Sequence, residues 1–212
     1  FVFFCPDLNS KIELMPVTTK MDNSLYLSYN FFLLRITRLN GGFMKIIKRQ
    51  LNSKMCFICG LDNPVGLRAP FYTMEDGSVM TQFQYKSEHQ SFPLRVHGGL
   101  ITTMLDELAM RAYWVENETG LGVTLSLETK FRKPVPYNEQ LFGRGIITKE
   151  TSRMFVAETQ IFDNTGLLLA NGTANYIKLP AEKIAEDASF HEEMCYLIED
   201  NLTELDFQGL KS

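Results

Sequence analysis

A chain of 212 residues, 45% apolar and 22% charged, holds enough material for one folded domain or a domain with a tail. Its net charge of −4 argues against a nucleic-acid or anionic-membrane partner, and no apolar run approaches the ~18 residues of a membrane span. The first residues lack the basic and apolar segments of a signal peptide, so a cytoplasmic protein with neither nucleic-acid nor membrane partners is expected.

Residues 1–43 show no sustained hydrophobic period. Gly41, Gly42 and Phe43 stand directly before Met44, and adjacent glycine codons can spell a purine-rich ribosome-binding sequence. The stretch is expected to be a non-native leader or a disordered extension, with the natural start at Met44 or Met55. Residues 44–66 form an N-terminal segment. In it MKIIKRQLNSK (44–54) is basic and reads as a short helix.

The segment also holds CFICGLDNPVGL, with a C-x-x-C at Cys56 and Cys59. A structural zinc site needs four ligands, usually a second such pair or histidines. The other cysteines, Cys5 and Cys195, are isolated, and His89, His97 and His191 are scattered. A redox pair favours a helix start beside a strand, whereas Gly60, Asn63, Pro64 and Gly66 signal a turn. A structural turn is therefore expected, with no metal and no cofactor.

Residues 67–180 read as the folded domain. LRAPFYTM and SVMTQFQYK flank Glu75-Asp76-Gly77, a hairpin signal. A helix from about Gly98 to about Thr119 follows, punctuated by Gly120-Leu121-Gly122. VTLSLETKF (123–131), LFGRGIITKETS (141–152), RMFVAETQIFD (153–163) and LLLANGTANYIKL (167–179) then read as strands. Their short connections suit an antiparallel meander or hairpins, which makes the class α+β. Residues 181–212 read as a tail with a short helix near 189–200.

The long helix, VHGGLITTMLDELAMRAYW, carries the chemistry. At 100° per residue, Leu100, Ile101, Met104, Leu105, Leu108 and Ala112 share the core face. Asp106 points nearly opposite, amid Thr102, Thr103, Met110, Tyr113 and Trp114 rather than the lysines and glutamates of a solvated face. That face reads as a subunit interface or a ligand wall. Glu107 precedes Arg111 by four residues and suits a surface ion pair. Asp106 has no cation at three or four residues' distance, and aspartate is a weak helix former, so no local structural role explains it.

Gly98 and Gly99 leave the first helical N–H groups unobstructed, at the positive end of the helix dipole. Such amides can hold an oxyanion. Eight residues at 1.5 Å rise separate Gly98 from Asp106 by ~12 Å, too far for one reacting carbonyl. A site using both needs a second copy, with the helices antiparallel about a two-fold axis.

H-G-G, an acid nine positions after the histidine on a long helix, and a strand ending K-F-x-x-P resemble the hot-dog-fold thioesterases of the phenylacetic-acid-degradation type. The likeness covers about residues 56–179 and includes the leading CFICGLDNPVGL. It implies a long central helix wrapped by a curved antiparallel sheet, in a homodimer or a dimer of dimers. It implies hydrolysis of a small-molecule acyl-CoA to free acid and coenzyme A. Gly98 N–H would polarise the carbonyl, with Gly99 beside it and His97 shaping the turn. Asp106 would act as general base or nucleophile, and Thr124 would orient the water.

Relatives of this type often carry an asparagine donor six positions before the HGG histidine. Here Ser91 stands there, and Ser91 or Gln90 would have to serve as substrate-binding donor. Met110, with Phe92, Leu94 and Tyr113, would line the acyl pocket, and Arg132, Lys133, Lys149 and Arg153 lie near strand ends where CoA phosphates could bind. The rival readings are a non-catalytic acyl-CoA-binding module on the same fold and a hot-dog hydratase or dehydratase.

Overall fold

The computed structural model describes residues 42–118, 120–180, 183–184, 196–198 and 200–207. The expectations for residues 1–41, Cys5, His191 and Cys195 lie outside them.

The hairpin forms where the Asp-Gly signal put it. Gly77 takes φ 76°, a left-handed conformation that glycine reaches without strain, and joins β2 (Tyr72–Met74) to β3 (Val79–Phe83). A single 3-10 turn (Ser87–His89) leads to the helix α1 (Gly98–Tyr113). The helix is shorter than expected. Its end is closed by a turn in which Gly120 N–H donates to Asn117 O and Trp114 Nε1 donates to Gly120 O at 2.6 Å. Four strands follow: β4 (Leu121–Phe131), β5 (Leu141–Glu150), β6 (Met154–Asp163) and β7 (Leu168–Leu179).

Residues 42–49 are not helical. They form β1 (Gly42–Arg49), which pairs antiparallel with β2 on one side and with β8 (Glu204–Phe207) on the other. Long-range pairing overrides a weak local helical preference there. Of the helix expected near 189–200, residues 189–195 and 199 lie outside the described residues; Tyr196 bridges Asn52.

All neighbours in the eight-stranded sheet are antiparallel, in the order β4-β7-β6-β5-β3-β2-β1-β8. The sheet wraps α1. Met104, Leu105 and Leu108 are fully buried in a core with Ile58, Phe71, Tyr85, Leu141 and Ile161. Close approach of helix to sheet depends on β5 glycines: a Cβ on Gly145 would lie 2.5 Å from Leu108 O, and one on Gly143 2.9 Å from Leu108 Cδ1.

Two readings of the helix surface change. Tyr113 and Trp114 are buried, not outward: with Ala109 they pack on Phe155, Ala157, Ala174 and Tyr176, with Met110 partly buried against them. The sheet's curvature covers more of the helix than one flat stripe allows. The Glu107–Arg111 pair is not at the surface either. Arg111 is 1% exposed, its guanidinium over the Phe71 and Trp114 rings at 4.7 and 4.5 Å, and Nη1 bonded to Leu51 O. Nε donates to Glu107 Oε1 at 2.8 Å, so a charge that helical spacing leaves in water is enclosed by residues 50–71 and α1.

Candidate functional site

Asp106 is half-buried in the middle of α1. Two hydroxyls reach its Oδ1: Thr124 Oγ1 at 2.9 Å and Tyr176 OH at 2.7 Å, the phenol also donating to Asp106 O at 2.9 Å. Thr124 and Tyr176 are cross-strand partners on β4 and β7, which is why both aim at one carboxylate. The register slips between Thr124 and Ser126, a bulge that bends the strand beside the acid. Burial, then the neighbouring Asp106 charge, push the Tyr176 phenol far above its ordinary range, so at neutral pH it is a standing donor. Among the described residues Oδ2 of Asp106 has no partner.

Tyr176 escaped the sequence reading. In ANGTANYIKL it is one alternating strand residue, and only the β4–β7 register sets it opposite Thr124.

His97 is the N-cap of α1: it has extended backbone, and its Nδ1 accepts the Gly99 N–H at 3.0 Å. Leu100 and Ile101 N–H both donate to His97 O. Of the first-turn amides, Gly98 N–H donates to no protein group among the described residues. Gly98 also has an ordinary φ, and a Cβ there would rest at 3.4 Å from Phe131, an ordinary contact. Neither backbone conformation nor packing within the chain requires glycine at 98. Gly99 differs, since a Cβ would press His97 Nδ1 at 3.1 Å.

The loop before the helix doubles back. Ser91 N–H donates to Arg95 O at 2.9 Å, and Gln90 bridges Val96. Gln90 therefore lies beside Val96, the residue before His97, and Ser91 lies in the excursion with Phe92 and Leu94; all of these loop residues from Gln90 to Leu94 are exposed. Tyr137 OH donates to Gln90 Oε1 at 3.0 Å, an arrangement that leaves the amide NH2 as the available donor.

Strand β4 follows α1 along its length: Thr124 meets Asp106, Thr129 Oγ1 lies 3.4 Å from Thr102 Oγ1, and Phe131 lies at Gly98. Gly98 and Asp106 thus occupy opposite ends of one helix–strand ribbon, ~12 Å apart by helical rise. Within one chain they do not meet. The outer edge of β4 pairs with no strand among the described residues, and Leu125 and Phe131 on it are 54% and 57% exposed. No helix of the described residues is long and apolar enough to cross a membrane.

Residues 95–170 match the family model of the thioesterase superfamily, a span that includes His97, Gly98, Asp106 and Thr124 and stops short of Tyr176. The acyl-coenzyme A thioesterase THEM4 of Rattus norvegicus is 28% identical over 138 residues, 64% of this chain and 59% of that protein. THEM4 of Mus musculus is 27% identical over the same shares. The chain spans about 59% of the length of these curated relatives. A thioesterase superfamily protein of known crystal structure aligns at a TM-score of 0.54 and 22% identity, over 57% of this chain and 59% of its own, and supports the fold. Residues 95–170 are thus similar to the thioesterase superfamily, and the sheet-wrapped helix has the hot-dog fold.

Proposed function

We propose that the protein hydrolyses an acyl-CoA thioester to free acid and coenzyme A. The observation that carries this is the Asp106 carboxylate: Oδ1 is held by Thr124 and Tyr176, and Oδ2 has no partner among the described residues. One oxygen anchored and one available is the arrangement a general base needs.

In this reading the thioester carbonyl accepts the Gly98 N–H at the helix N-terminus, where the dipole favours the developing oxyanion. Gln90, held by Tyr137 and bridged to Val96, supplies the second donor in place of Ser91, and Gly99 and Met110 border the substrate. His97 holds the turn. Asp106 Oδ2 takes a proton from water as the water oxygen adds to the carbonyl carbon. The tetrahedral intermediate then expels the CoA thiolate, which takes up that proton. Direct attack by Oδ2 to give an acyl-enzyme anhydride is the other form of the same reading.

The ~12 Å between Gly98 and Asp106 requires a homodimer, alone or within a dimer of dimers. The bare edge of β4 supports it. Two β4 strands paired antiparallel and centred between Leu127 and Glu128 set Thr124 of one copy opposite Phe131 of the other. Asp106 of one copy then faces Gly98 of its partner. Such pairing also removes an exposed apolar edge.

The test is thiol release from a panel of acyl-CoA esters by wild type, Asp106→Asn and Gly98→Ala. We expect both variants to be impaired as homodimers and to regain activity when mixed under conditions of subunit exchange. Acyl-CoA binding without thiol release overturns hydrolysis in favour of a binding module. Hydration of an enoyl-CoA without thiol release favours a hydratase. A fully active monomer overturns the shared site.

A further inference from the structure

The C-x-x-C turn lies outside the site described above, and its contacts go beyond those of a plain turn. Residues 53–62 are tied by Gly60 N–H to Cys56 O (2.8 Å), Leu61 N–H to Ser53 O (3.0 Å) and Asp62 N–H to Lys54 O (2.9 Å). Gly60 has no room for a Cβ, which would collide with Cys56 O. Both sulfurs have hydrogen-bonding neighbours: Ile58 N–H donates to Cys56 Sγ at 3.3 Å, and Ser53 Oγ lies 3.3 Å from Cys59 Sγ. Cys56 Sγ, Cys59 Sγ and a Glu107 oxygen lie within 4.8 Å of one another, and Cys56 Sγ approaches Glu107 Oε2 at 3.8 Å. Behind Glu107 stands the buried Arg111 guanidinium, whose Nη2 has no partner among the described residues.

Three donors are one short of a closed structural zinc site, and a fixed cation next to them opposes a second one. A buried cation suits a thiolate instead. We infer that Cys56 and Cys59 form an oxidisable dithiol, which a hydroperoxide converts to an intrachain disulfide.

The proton distribution agrees with this geometry. The Cys56 thiol hydrogen-bonds to Cys59, which brings Cys59 down to about 7 despite burial and pushes Cys56 up, helped by burial and Glu107. The first proton of the pair therefore comes off near neutral pH. Cys59 is 1% exposed and Cys56 only partly buried, so the oxidant meets Cys56. The Cys56 proton passes to Cys59 as the Cys56 sulfur attacks a peroxide oxygen. The O–O bond breaks, the leaving oxygen takes from solvent the proton that Cys59 had released and departs as alcohol or water, and Cys56 becomes a sulfenic acid. The Cys59 sulfur then attacks the Cys56 sulfur, the S–O bond breaks, and hydroxide leaves with the thiol proton as water. Overall, two thiols and one hydroperoxide give one disulfide, one alcohol and one water.

The test uses the folded wild-type protein and does not depend on thioesterase activity. Hydrogen peroxide is added, free thiols are blocked, and trypsin cuts after Lys54 and Arg68, leaving both cysteines on one peptide, residues 55–68. We expect that peptide to lose two hydrogen atoms, to carry no blocking group, and to regain both thiols with dithiothreitol. In Cys59→Ser, a dimedone adduct at Cys56 should accumulate instead. Circular dichroism checks that this variant is folded, and Cys59→Ala serves if it is not. The inference is overturned if residues 55–68 keep two blockable thiols under peroxide that oxidises free cysteine. It is also overturned if Cys56 stops at the sulfenic acid in the wild type. Purification with one equivalent of zinc, lost when either cysteine is replaced, overturns it in favour of a metal site.

Discussion

Tyr176 OH donates to Asp106 Oδ1 at 2.7 Å, joining positions 70 residues apart in the chain. The contact places a buried phenol, held in its protonated form, against the one helical acid without a local cation. Replacing Tyr176 by Phe removes that donor and keeps the ring stacked on Phe155, 4.8 Å between centroids. We expect kcat to fall by about tenfold with KM little changed, because hydrogen bonds to charged groups contribute about 1.5–3 kcal/mol. Asp106→Asn should lower kcat by at least about 10²-fold with an unchanged fold. Steady-state thiol release and circular dichroism check both.

Gly98 and Gly99 should respond differently to alanine. At 98 the backbone and the space accept a Cβ, so thermal stability should hold or rise, by up to ~1 kcal/mol from helix propensity. Activity should fall by about 10²-fold as the methyl group keeps the carbonyl from the amide. At 99 the Cβ presses on the capping His97, and loss of that cap should cost about 1 kcal/mol. Paired melting curves and assays separate the two. A Gly98→Ala protein with full activity would remove Gly98 from the mechanism.

Gly145 tests the packing of α1 on the sheet. A Cβ there meets Leu108 O at 2.5 Å, and backbone cannot rotate away as a side chain does. Gly145→Ala should lower the denaturation midpoint by about 1–3 kcal/mol of stability. Urea unfolding gives the value, and an unchanged midpoint would show that the helix rides farther from β5.

The β2–β3 turn carries a pH signature. Burial disfavours the charged Asp76, but hydrogen bonds from Ser78 and the Arg144 guanidinium, 2.8 Å away, outweigh it and hold the carboxyl below its usual range. A depressed carboxylate stabilises the folded state above the unfolded value, about 3.9, and loses that contribution as pH falls through the folded value. Wild type should therefore exceed Asp76→Asn in thermal midpoint at pH 7. The gap should narrow as the pH falls below about 4. Thermal melts across that range test the sign.

Local chemistry, legible in the sequence, determined the α+β class, the Asp76-Gly77 hairpin, the start of α1 and the four strands after it. Turn residues and hydrophobic period act over a few positions, so they can be read without a fold. The same locality singled out Asp106, because its want of a cation is a property of its own helix. Tertiary structure alone decided what surrounds these residues. MKIIKR became part of a strand because β2 and β8 offered ladder partners. Arg111 became a buried cation because residues 50–71 fold over it. Tyr176 met Asp106 because the β4–β7 register sets it opposite Thr124. Cys56 and Cys59 acquired Glu107 and Arg111 as neighbours through a contact between a loop and a helix some 50 positions on. Register and long-range packing arise from the whole sheet closing on one helix, and no window of residues contains that information.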